Sequence, residues 1–136
     1  MKDNSFAYVI LALVILVGSI IVAFLVPEKK EEYNVIATIN GTKYEAIIYT
    51  NNVVAVGFRR CIGNNCFNET KEYKYSKDIM NEFRNLAKGM NNDFVEYDKD
   101  EIYNILIYDT NTDKALYDPD SYELISLTNR LILGQK

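Results

Sequence analysis

Apolar and polar positions divide the chain into stretches of different period. From Phe6 to Val26, FAYVILALVILVGSIIVAFLV, there is neither charge nor alternation. A helix rising about 1.5 Å per residue would make this run about 31 Å long, matching the hydrocarbon core of a bilayer. The run predicts a single transmembrane helix, with residues 6–26 attaching the chain to a lipid bilayer. Its apolar core is longer than that of a signal peptide and no small-x-small cleavage site follows, so residues 1–26 read as an uncleaved signal anchor. Residues 27–32, PEKKEE, form a charged linker opened by a helix-ending proline.

A period of two starts at Tyr33 and predicts a strand to Ile39, and Asn40-Gly41 is the strongest short hairpin signal in the chain. A second strand, Lys43 to Thr50, ends at Asn51-Asn52, and a third runs from Val53 to Arg60. With both turns two residues long, one face of this β-meander carries Val35, Ala37, Ile39, Tyr44, Ala46, Ile48, Val53, Ala55 and Gly57. Those mostly small residues suit close helix packing. The opposite face carries Tyr49, Val54, Val56 and Phe58, an apolar group that is the candidate partner surface if nothing covers it.

Thr70 to Tyr75 alternates charge with aromatic residues, as an outer strand does. Ser76 then caps a helix whose Ile79, Met80, Phe83, Leu86, Ala87 and Met90 make one apolar stripe. Phe94–Tyr97 and Ile102–Tyr108 read as strands, followed by the polar run Asp109–Lys114 and a short strand at Ala115–Tyr117. Asp118-Pro119 is placed as the start of a last amphipathic helix reaching about Leu133. The predicted fold class is α+β: an N-terminal transmembrane helix, then a small domain, residues 33–136, with an antiparallel β-meander sheet and two amphipathic helices.

Composition narrows the function. The formal charge is −4, from 15 basic and 19 acidic residues, and no basic stripe is present, which argues against a nucleic-acid partner. There is no histidine, and the two cysteines, Cys61 and Cys66, cannot alone complete a structural zinc site. The Gly63-Asn64-Asn65 centre between them suggests a tight loop stapled by a hairpin disulfide, hence an oxidising compartment and a C-terminal domain outside the cytoplasm. Flanking charge leaves orientation open, because Lys2 on one side faces Lys29 and Lys30 on the other.

Asp109-x-Asn111-x-Asp113, with Asp120 in twelfth place, has the oxygen spacing of a calcium loop but carries Lys114 where the sharp turn needs glycine. Glu96, Asp98, Asp100 and Glu101 form a second acidic cluster on a loop. No catalytic residue, cofactor site or metal ligand is assigned. The expected function is that of a membrane-tethered, non-catalytic interaction domain with a protein partner; the alternative is a membrane-anchored, metal-assisted enzyme using an acidic loop.

Overall fold

Alternating side chains from Glu31 onward do form strands, and in the computed structural model, which describes residues 30–135, they assemble into one seven-stranded antiparallel sheet. The strands are β1 (Glu31–Ile39), β2 (Thr42–Tyr49), β3 (Val53–Ile62), β4 (Asn65–Lys74), β5 (Val95–Glu96), β6 (Ile105–Asp109) and β7 (Lys114–Tyr117). Their order is β4-β3-β2-β1-β6-β7-β5, so the first strand is the middle of the sheet. Helix α1 (Lys77–Gly89) lies in the connection that carries the chain from the β4 edge to the β5 edge, and α2 (Tyr122–Ile132) follows β7.

Both helices are built as their sequences require. The Ser76 hydroxyl accepts from the Ile79 N–H at 3.3 Å, and Met80, Phe83 and Ala87 are the buried stripe of α1. Ser121, not Asp118, caps α2, its hydroxyl accepting from the Leu124 N–H at 3.2 Å. Asp118 instead sits at φ 43°, where its carboxylate accepts from the N–H groups of Asn104 and Ile105 and pins the entrance of β6. The helices close over Val35, Ala37, Ala46, Ile48, Val54, Val56 and Ile107, which form one core with Phe83, Leu124 and Leu131.

The first hairpin turns at Asn40 and Gly41, at φ 50° and 79°, as the sequence expects. The second does not. Ile48 pairs with Val54, so the turn holds three residues, Thr50, Asn51 and Asn52, with Asn52 at φ 68°. Neighbouring side chains point to opposite faces, so a turn longer by one residue exchanges the two faces of β3. Val54 and Val56 therefore enter the core, 0% and 1% exposed, and Phe58 packs beside Tyr44 on the same side. Val53, Ala55 and Gly57 take the opposite face.

The expected fold class is corrected in one further respect. Among the described residues no helix is long and apolar enough to cross a membrane. The structure is an α+β domain with a seven-stranded sheet and two helices, and it gives no support to a single-pass anchor, to a bilayer attachment or to a domain held outside the cytoplasm. The expected transmembrane segment, residues 6–26, and the start of the linker lie outside the described residues.

Candidate binding surface

Among the described residues, the sheet face away from the helices is only half covered. At the β6–β7 end, the segment between β5 and β6 folds over it, which is why Leu106 and Ala115 are buried although they point away from the helices. Tyr117 latches this segment: its hydroxyl accepts from the Asp98 N–H at 2.7 Å and donates to the Asp98 carbonyl at 2.9 Å. Tyr97 meets Tyr108 edge-on with ring centroids 5.4 Å apart, and Tyr103 lies 5.5 Å from Tyr117. Desolvation, more than the neighbouring Tyr97, Tyr117 and Glu45, raises the Tyr103 pKa. This segment explains why the expected strand Ile102–Tyr108 starts only at Ile105: Tyr103 is spent on the cover, and Ile102 is left 94% exposed.

Among the described residues, no element covers the other half, over β1, β2 and β3. Ile36, Ile47 and Ala55 make an apolar floor edged by Glu45 and Thr70, enclosing a shallow concavity of about 430 Å³. A second concavity of about 240 Å³ adjoins it beneath Tyr97 and Tyr108, and Asn34 and Ile36 line both. Gly57 keeps the floor open. A Cβ there would meet only the Glu45 and Glu69 carbonyl oxygens at 3.9 Å, so packing does not require glycine at this position. Asn34 lines both concavities, and its Oδ1 is buried without a hydrogen-bond partner among the described residues. A buried acceptor left unpaired is costly.

The residues singled out from sequence divide between the two faces. Tyr49 lies on the uncovered side, whereas Val54, Val56 and Phe58 lie under the helices, so these four do not form one surface. Sequence reasoning missed Asn34, on the same face of β1 as Ile36, and also Ala55 and Gly57, whose exposure depends on the length of the second turn. Cys61 and Cys66 are joined in a disulfide with Cα atoms 4.1 Å apart, near the tip of the β3–β4 hairpin. Beside it Ile62 and Phe67 are 60% and 43% exposed.

The acidic sequences are used in turns. The Asp109 carboxylate accepts from the Asn111 N–H at 2.9 Å, closing the β6–β7 hairpin, and Asp113 takes φ 61°. Because β7 runs back along β6, Asp120 lies a strand's length from Asp109, and a calcium loop cannot close. The Asp98 carboxylate likewise accepts from the Asp100 N–H at 2.9 Å. No group of three or more potential ligands is found among the described residues, which overturns the metal-assisted reading. Comparison of the chain with protein-family models, curated proteins and solved structures finds no match.

Proposed function

We propose that the domain is a non-catalytic binding module that receives an apolar polypeptide segment on the uncovered half of its sheet. The observation that carries this reading is the apolar floor of Ile36, Ile47 and Ala55, which lies where two concavities adjoin. Apolar side chains fit Ile36, Ile47 and Ala55. The tyrosines beside the smaller concavity add contact area at low entropic cost. The carboxylates of Asp98, Asp109 and Asp118 are held by backbone N–H groups, which supports a role without a chemical step.

The test places a photo-cross-linking amino acid at Ile47 of the full chain in cells, with the same residue at exposed Lys88 as reference. A discrete cross-linked polypeptide at position 47 only, lost when Gly57→Val fills the floor, is the expected result. Equal labelling at both positions, or labelling at 47 that survives Gly57→Val, overturns the reading.

A further inference from the structure

The two edges of the sheet differ sharply. One ends in β5, a strand of two residues, whereas the other ends in β4, ten residues paired without a register shift to β3 and, among the described residues, with no partner strand on its outer side. Natural edges are usually blunted by proline, a bulge or shortness, or guarded by charge. β4 has neither proline nor bulge. Its charges are the only remaining guard, and their positions give them a second role.

The two-residue turn Gly63-Asn64 makes Ile62–Asn65 a hydrogen-bonded pair, and Cys61–Cys66, with its short Cα separation, a non-bonded one. The Tyr75 N–H, which donates to the Asn52 carbonyl at 3.0 Å, fits the same alternation. Along β4 the even-numbered residues Cys66, Asn68, Thr70, Glu72 and Lys74 therefore aim N–H and C=O away from β3.

We propose that β4 is a pairing edge for a second copy of this chain, joined antiparallel about a two-fold axis at Thr70. A two-fold axis centred at Glu69 would set Glu69 against its own copy, and axes at Lys71 or Glu72 would do the same to those residues. An axis at Asn68 leaves Glu72, Tyr73 and Lys74 unpaired and sets Glu69 opposite the second copy's Phe67. Centring at Thr70 uses the strand from Cys66 to Lys74 and puts Glu69 opposite the second copy's Lys71, Lys71 opposite its Glu69, and Phe67 opposite its Tyr73. These fall in the non-bonded pairs, where side chains are closest. On the same face, Arg60 already lies 3.4 Å from Glu69, so each Glu69 would sit between two cations. The charges that would guard the edge against other strands thus select this one. The axis stands perpendicular to the sheet, so the helices of both copies share one side and both concavities share the other.

The test uses the full chain and its charge swaps. Sedimentation equilibrium should show a dimer for the parent chain, a dissociation constant raised tenfold or more by Glu69→Lys or Lys71→Glu alone, and recovery to within threefold in the double swap. Carbodiimide cross-linking of mixed unlabelled and nitrogen-15-labelled chains should join Glu69 of one copy to Lys71 of the other. A parent chain monomeric at 100 µM, a dimer indifferent to both single swaps, or a double swap no tighter than the singles overturns the proposal. None of these outcomes depends on the binding surface tested at Ile47.

Discussion

The Arg84 guanidinium of α1 reaches the Glu32 carboxylate of β1 through its Nε, at 2.9 and 3.1 Å from the two oxygens. Its Nη2 donates to the Asn52 side-chain oxygen at 3.0 Å, and its Nη1 to that of Asn81 at 3.1 Å. One planar group thus ties α1 to the central strand and to the three-residue turn that sets the faces of β3. Both side chains of the ion pair are about four-fifths buried.

Loss of this clamp should be felt at three elements together. Arg84→Met is expected to lower stability by about 2 kcal/mol, in the range of hydrogen bonds to charged groups. Arg84→Lys should recover less than half of that, because an ammonium lacks the fork that serves separate acceptors. Urea unfolding of the three proteins measures both, and a Lys variant equal to the parent would show that charge alone suffices.

Two core tyrosines make stability fall in alkali. Burial, with Asp109 and Glu32 nearby, raises the Tyr33 pKa from 10 to about 12, and burial beside Tyr73 does the same for Tyr75. Below pH 10 both phenols are protonated whether the chain is folded or not, and their contribution is fully present. Above pH 10 the unfolded chain ionises while the folded one retains its protons, so stability is lost progressively toward pH 12. Urea midpoints at pH 9, 10 and 11 should decline, and less steeply in Tyr33→Phe and Tyr75→Phe; identical slopes in all three proteins would refute this origin.

Gly134 follows α2 at φ +71°, and a Cβ there would fall on the Tyr73 ring. Gly63, at φ +62°, has open space around its missing Cβ. Gly63→Ala should therefore cost about 1 kcal/mol, the backbone term alone. Gly134→Ala should cost at least about 1 kcal/mol more, as the ring is displaced. Thermal melts of the two variants compare them directly, and equal losses would mean that Tyr73 yields freely.

Local chemistry determined much of this protein from sequence alone. Asn40-Gly41 can hardly be anything but a tight turn, the stripe from Ile79 to Ala87 has one buried side, and Cys61 and Cys66 face each other across a hairpin. Each of these depends on residues a few positions apart. The tertiary structure decided what depends on counting or on distance in the chain. Whether Asn51-Asn52 turned with two residues or three depended on how Val54 and Val56 packed under α1 and α2, and that choice moved Ala55 and Gly57 to the open face. Ile102 and Tyr103 read as strand because they are apolar, yet Tyr103 packs against Tyr117, fourteen residues beyond it, and Ile102 is left exposed. Alternation is a property of each strand alone, whereas the identity of the covered face belongs to the assembled sheet, because burial is shared among elements that meet only when the chain folds.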